Sequence, residues 1–402
     1  MSPDRTHGPM VLVPSLDAFE PAPGRVVLTK KFVEGVAEYA SRWPGPVRVL
    51  IARTPAPTSN LDNHDYRLDE LPFTLHWRPD NDAALIDAVR DAALIAPALY
   101  FRDLAWPAIG RTLDIPVVYT SEYSLRTRLQ IVSTETANPL LRARRSLWNR
   151  SLERRYTDAV RRADGIQCNG TPTFEAYRSI SPRPLLFFDT RVTRDMLISP
   201  DHLAARLAHL RAGGPIRLAF SGRLAPMKGA DDLPSVAEHL ARQGLSFTLD
   251  ICGGGPLEAS MRAHVERAGL ASRVRFRGVL DFSSQLVPFI RSDIDLFICC
   301  HRQGDPSCTY LETMSCGVPI AGYDNEAFVG VQAASSAGWA SPMNDPAALA
   351  RLVARLAARR DEIAEHAARS LAFAHDHTFE RTMQARVDHL LECARRPSPA
   401  NA

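Results

Sequence analysis

Short apolar runs alternate with amphipathic stretches along the whole chain. In the first half, residues 10–14 and 47–52 are strand-like runs. Residues 26–39 carry Val27, Phe32, Val36 and Tyr39 at mixed helical spacing, until Trp43-Pro44-Gly45-Pro46 breaks the pattern. Residues 83–96 predict a helix, 98–101 are apolar, 109–113 close a short helix, and 116–120 (PVVYT) predict a strand. A long helix is predicted over 141–163, then a strand at 165–168, a helix at 172–179 and a strand at 185–188. Residues 190–214 are polar with one helix, and Gly213-Gly214-Pro215 is a turn signal.

The second half repeats the alternation more cleanly. Strands are predicted at 216–220, 247–252, 274–277, 296–299 and 319–322. Helices fall between them at 231–243, 256–268, 284–290 and 310–316, and follow at 345–369 and 379–394. Such alternation predicts parallel sheets with helices on both faces. The turn signal places a domain boundary near 200–214, giving domains at 1–210 and 211–378 and a last helix and tail at 379–402.

Composition changes this picture little. The chain has 402 residues, 45% hydrophobic and 23% charged, with a net charge of +3, so two ordinary globular domains are expected and nucleic acid is not an expected partner. Seven cysteines, an odd number without a CxxC pair, read as buried free thiols in a reducing compartment. Neither a signal-peptide pattern nor a run of about 18 apolar residues is present. The expected location is cytoplasmic, with peripheral contact to the inner face of a membrane left open.

Ligands of open parallel sheets bind beyond the carboxyl ends of the strands. After the strand at 216–220 comes SGRLAPMKG, where Ser221 and Gly222 form a tight loop and Arg223 and Lys228 place two cations at the sheet's mouth. These suit a diphosphate, or are solvated loop charges. After the strand at 247–252, Gly253-Gly254-Gly255-Pro256 either permits close backbone approach to a ligand or is only a turn leading into a helix that Pro256 opens. The strand at 296–299 is followed by a polar loop and a helix bearing Glu312 in its first turns. That carboxylate can take a ribose diol, or simply offset the helix dipole, and the amides of Ser307, Cys308 and Thr309 can face an anion. No dinucleotide fingerprint follows a first strand, which argues against a dehydrogenase.

Four segments together carry a resemblance: SGRLAPMKG (221–229), ICGGGPLE (251–258), VRFRGVL (274–280) and YLETMSCGVPIAGYDNEAF (310–328). They resemble the C-terminal half of retaining glycosyltransferases of family 4, also called group 1. The likeness covers about 216–394 and extends to the first half by architecture alone. It implies a GT-B fold, an α/β architecture of two Rossmann-like domains facing across a cleft, with a last helix crossing back to the first domain. It further implies a nucleotide-diphosphate sugar donor, held through its diphosphate by Arg223 and Lys228 and through its ribose by Glu312. The acceptor is then a glycan, a lipid-linked molecule or a small molecule, in polysaccharide or glycoconjugate biosynthesis. Neither metal nor cofactor is expected, since the two cations serve the leaving group; Asp293-Ile294-Asp295 precedes a core strand and reads as structural.

Two positions depart from the family pattern. Gly304 stands where the family carries a glutamate that contacts the donor sugar, and Asp305 is the only carboxylate between His301 and Glu312. Asp305 therefore reads either as the substitute contact or as a loop-shaping residue before Pro306. In the first half, where the family often has a histidine near the donor sugar, the strand is followed by Ser121-Glu122-Tyr123. Glu122 is thus a catalytic candidate or a surface carboxylate. Lys30-Lys31 is a weaker marker of an acceptor entrance. Residues 142–162 hold eight arginines interleaved with Leu147, Trp148, Leu152 and Tyr156, a pattern that fits an anionic membrane surface, a solvated helix or an anionic acceptor site. The alternative to an enzyme is a non-catalytic nucleotide-sugar or glycan-binding protein on the same fold.

Overall fold

A computed structural model describes residues 7–57 and 63–395. The tail at 396–402, expected to fray, lies outside the described residues. The first half contains strands β1 (Met10–Val13), β2 (Asp17–Phe19), β3 (Arg25–Thr29), β4 (Val47–Thr54), β5 (Asn63–Arg67), β6 (Thr74–Trp77) and β7 (Leu94–Pro97). They form one sheet in the order β5-β3-β2-β4-β1-β7, with β6 paired to β4. Strands β8 (Val118–Ser121), β9 (Gly165–Asn169) and β10 (Pro184–Phe187) form a parallel trio, and isolated bridges Ile95–Val117 and Ala98–Thr120 join it to the edge at β7. Pairing is parallel except where β3 runs antiparallel to β2 and β5.

Three predicted stretches shorten or divide in the structure, and β2, β5, β6 and the helix Leu125–Glu135 have no counterpart in the sequence expectation. The helix expected over 83–96 is confined to Asp82–Asp87, where the Asn81 side chain accepts from Ala84 N–H at 2.8 Å. The apolar run after it is β7, buried at all four positions beside β1. A short run buried on both faces has no periodicity to separate helix from strand. Residues 26–39 divide likewise, into β3 and a helix at Lys30–Arg42 that starts where the Thr29 hydroxyl accepts from Phe32 N–H at 3.2 Å. The helix expected over 345–369 is two, Pro346–Ala357 and Arg360–Asp376.

The second half builds a single sheet from β11 (Ile216–Ser221), β12 (Phe247–Cys252), β13 (Val274–Gly278), β14 (Leu296–Cys299), β15 (Ile320–Tyr323) and β16 (Trp339–Ser341). Its order is β13-β12-β11-β14-β15-β16, and every pair is parallel. Strands β11 and β14 are buried nearly throughout, the mark of a sheet covered on both faces. The order reverses between β11 and β14, so a ligand crevice opens beyond Ser221 and Cys299. The last helix, Phe379–Ala394, buries Met383, Val387 and Leu390 in the apolar core of the first domain. The molecule thus has the GT-B architecture of two Rossmann-like domains.

Candidate active site

The loop after β11 meets the loop after β12 backbone to backbone. Gly253 has φ 136°, and a Cβ there would collide with the carbonyl of Gly222. Leu224 N–H donates to Gly254 O at 3.0 Å, and Leu257 N–H to Leu224 O at 3.1 Å. Gly253 is thus required by loop packing, as is Gly255, where a Cβ would lie 2.5 Å from Leu224 O, whereas a Cβ at Gly254 would meet only the Val279 side chain at 3.3 Å. Pro256 does not open the following helix, which runs Glu258–Arg267; it lies in the turn before it. Gly229, with φ 58°, lets the Arg223–Lys228 loop close on the carbonyl of Cys300. Both loops are therefore fixed to the crevice where the strand order reverses.

Arg223 is exposed there, and among the described residues no hydrogen-bond or ion-pair partner is found for it. Lys228 is instead paired: its Nζ lies 2.6 Å from Asp305 Oδ2, with both side chains about 15% exposed. Asp305 Oδ1 is buried without a partner among the described residues. So are both ring nitrogens of His301 and the amide atoms of Gln303 in the same loop. Burial first, then Lys228, pushes the His301 pKa well below the usual imidazole range, so the ring is neutral.

Glu312 sits in the first turn of the helix Thr309–Ser315 and is 9% exposed. Its Oε1 accepts from Arg191 Nε at 2.7 Å, while the Arg191 guanidinium lies over the Phe282 ring at 3.7 Å. Arg191 was invisible as a partner because it follows β10, 121 residues away in sequence. Of the three amides beyond β14, Ser307 N–H is already bonded to Asp305 O at 2.8 Å.

Gly304 has a structural counterpart. A Cβ at 304 would collide with Glu326 Cγ, so a side chain at 304 and Glu326 compete for one volume. Glu326 Oε1 accepts from Ser124 Oγ at 2.5 Å and lies 2.8 Å from Thr127 Oγ1. Gly304 N–H donates to Gln130 Oε1 at 3.0 Å. The loop after β14 is thereby docked on the first domain's helix Leu125–Glu135.

On the first domain, Glu122 follows β8; its side chain is exposed and lines a cavity beside the helix Lys30–Arg42. Asn169 Nδ2 donates to its Oε2 at 2.8 Å. Burial raises the Glu122 pKa, Asp189 adds to the rise, and Asn169, Arg386 and Lys31 oppose it. Asn169 Oδ1 in turn accepts from Asp189 N–H at 3.0 Å, and the Asp189 carboxylate meets Lys31 Nζ at 2.5 Å. Lys31 Nζ also lies 3.3 Å from Cys308 Sγ. Burial works against the Lys31 ammonium, but the Cys308 sulfur and the Asp189 carboxylate outweigh it and raise its pKa. Burial likewise pushes the Cys308 thiol up to about 12. This chain links the two domains, and its unseen member is Asp189, a carboxylate just past a predicted strand.

The arginine-rich helix, Pro139–Arg162, buries Asn149, Leu152, Tyr156, Ala159 and Val160. Its opposite face exposes Leu140 by 82% and Leu147 by 66%, near Arg144 and Arg154, while Trp148, 50% exposed, stands at the edge of the buried face with its ring 6.0 Å from that of Phe101. Among the described residues no helix is long and apolar enough to cross a membrane.

Residues 204–370 match the family described as glycosyl transferases group 1. The chain is 31% identical over 123 residues to a 2-deoxystreptamine glucosyltransferase of Streptomyces kanamyceticus, covering 31% of each chain. It is 28% identical over 261 residues to a 2-deoxystreptamine N-acetyl-D-glucosaminyltransferase of Streptomyces fradiae, covering 63% of this chain and 56% of that one. The matches thus span about a third to just over half the length of these curated relatives. Among solved structures, Anabaena HepE in complex with UDP superposes with a TM-score of 0.65 at 14% identity, covering 95% of this chain and 99% of that one. WaaG, a glycosyltransferase involved in lipopolysaccharide biosynthesis, superposes with a TM-score of 0.58 at 13% identity, covering 94% and 98%.

Proposed function

We propose that the protein transfers a sugar from a nucleotide-diphosphate donor with retention of configuration, a reading supported by the match of residues 204–370 to the glycosyl transferases group 1 family and by the GT-B fold. The observation that carries this is the placement of Arg223 and Lys228 beyond β11, at the reversal of strand order, with Glu312 beyond the adjoining β14. Two cations at one crevice offset the charge that grows on a departing diphosphate. Glu312, oriented by Arg191, keeps a second carboxylate oxygen for the ribose diol. In the transfer, the bond from the anomeric carbon to the diphosphate oxygen breaks. The acceptor oxygen bonds the same face, and its proton passes to the departing phosphate oxygen. No metal is required for this step, because the cations lie on the protein.

Asp305 is the proposed contact to the donor's hydroxyls, with Lys228 holding one of its oxygens. Glu122 faces the acceptor side of the cleft. A cytoplasmic location at an anionic inner membrane face is part of the same proposal, since the exposed face of the Pro139–Arg162 helix pairs leucine with arginine, with Trp148 at its edge. HepE has been solved with UDP-glucose, which makes UDP and its sugars the first ligands to try. A calorimetric screen of UDP, GDP, ADP and their sugars tests the reading. Binding of one nucleotide and its sugar, followed by turnover with an acceptor, is the expected result. A second reading is a binding protein without turnover, favoured by Gly304, whose side-chain space Glu326 fills. Nucleotide binding without any transfer or donor hydrolysis supports it.

A further inference from the structure

Beside Glu122 a cavity of about 350 Å³ opens between the β-strand ends and the helices Lys30–Arg42 and Phe379–Ala394. That volume lies within the range of small-molecule sites, roughly 300–1,000 Å³. Phe32, Val36 and Tyr39 of the first helix face Phe379, Met383 and Leu390 of the last across it. Positions 32, 35, 36 and 39 share one helical face, so this wall is continuous. A polyol placed against it would leave buried hydroxyls unpaired, each at the cost of its lost hydration. An apolar body instead gains in proportion to the surface it removes from water.

The polar end has balanced charge. Lys31 and Arg386 stand among Asp189 and Glu122. Lys31 is held by Asp189 at 2.5 Å. Arg386 Nε donates to Gln167 Oε1 at 2.9 Å, and its guanidinium lies 4.1 Å from the Phe187 ring and 5.3 Å from the Tyr39 ring. Neither cation is free to fork around a phosphate. An anionic head would meet two carboxylates, and an ammonium head two cations. A neutral hydroxyl has no such conflict and can both donate and accept. This end lies beside Cys308, through Lys31 at 3.3 Å, and therefore beside the loop assigned to the donor.

We propose that this cavity binds an uncharged amphiphilic acceptor, with its hydroxyl head at Glu122 and Asp189 and an apolar ring or short chain between the first and last helices. The proposal rests on the acceptor side of the function given above. It separates this protein from an enzyme whose acceptor is polar all round.

Calorimetric titration of the full chain with 2-naphthol, 2-naphthoate and myo-inositol at neutral pH tests it, with UDP, GDP and ADP titrated separately. The naphthol is expected to bind at least tenfold more tightly than the naphthoate or the inositol. Gly35 lies on the cavity wall, and a Cβ there meets nothing within 4 Å. Gly35→Phe should therefore fill the space, abolish naphthol binding and leave the nucleotide titration unchanged; Gly35→Leu is the second variant should the first not fold. Equal binding of the three probes, or naphthol binding that survives in a folded Gly35 variant, overturns the proposal. The naphthol pattern without any nucleotide binding would retain this cavity assignment and remove the donor reading instead.

Discussion

The two domains share an architecture but build their sites differently. In the second domain one parallel sheet brings its loops to a single crevice, and the loops touch through glycine backbones such as Gly253 against Gly222. Arg223 and Lys228 lie in the loop that follows β11, and Asp305 and Glu312 in the loop and helix that follow β14. In the first domain, short strands, antiparallel pairs and a helix from the far end of the chain converge on one cavity. Lys31, Glu122, Asp189 and Arg386 come from four distant segments. A crevice made of loops leaves local sequence motifs, and a cavity made by packing does not. If the division is functional, changes in the second domain should strike the donor, and changes in the first the acceptor or its setting.

The largest effect is expected at the cations. Arg223→Ala or Lys228→Ala should each lower turnover by roughly a hundredfold or more, the scale of losing one transition-state donor. Initial rates with the nucleotide sugar measure this, and near-normal turnover in both variants would break the comparison at its firmest point.

Glu312→Gln should weaken binding of the free nucleotide by about 1.5–3 kcal/mol, the worth of a hydrogen bond to a charged group. Asp305→Ala should act differently, weakening the nucleotide sugar more than the bare nucleotide. Calorimetry with both ligands separates them. Equal weakening for Asp305→Ala would mean that Asp305 only positions Lys228 through their 2.6 Å contact.

On the first domain, binding to anionic vesicles should be reversible and should weaken with salt, because exposed charges are screened beyond about 8 Å at physiological ionic strength. Leu147→Ser with Trp148→Ser should reduce it severalfold in co-sedimentation without changing nucleotide affinity. Binding to neutral vesicles as strong as to anionic ones would remove the membrane assignment.

The smallest effect is on stability at Glu122. Its carboxyl pKa is raised in the folded state, chiefly by burial. The folded chain therefore holds that proton more tightly than the unfolded chain. Stability from this group is present below the unfolded carboxyl pKa and is lost as pH rises through the folded value. Glu122→Gln should consequently gain Tm relative to the parent as pH rises from acid to neutral. Melting curves across that range that run parallel for the two proteins would show that Glu122 is not desolvated.

The alternation of apolar runs determined the repeated α/β pattern, and the spacing of Arg223, Lys228 and Glu312 after strands marked the second domain's crevice. Both are local: a buried parallel strand needs a continuous apolar run, and a loop at its end can be read from the next few residues. Pairing and packing decided the rest. The run at 94–97 became a strand because it lies beside β1. Lys228 acquired Asp305, Glu312 acquired Arg191, and Gly304 acquired Glu326 as its neighbour only when distant segments came together. The first domain's cavity exists only because the last helix closes it against the first, an arrangement set by apolar faces whose partners no sequence spacing specifies.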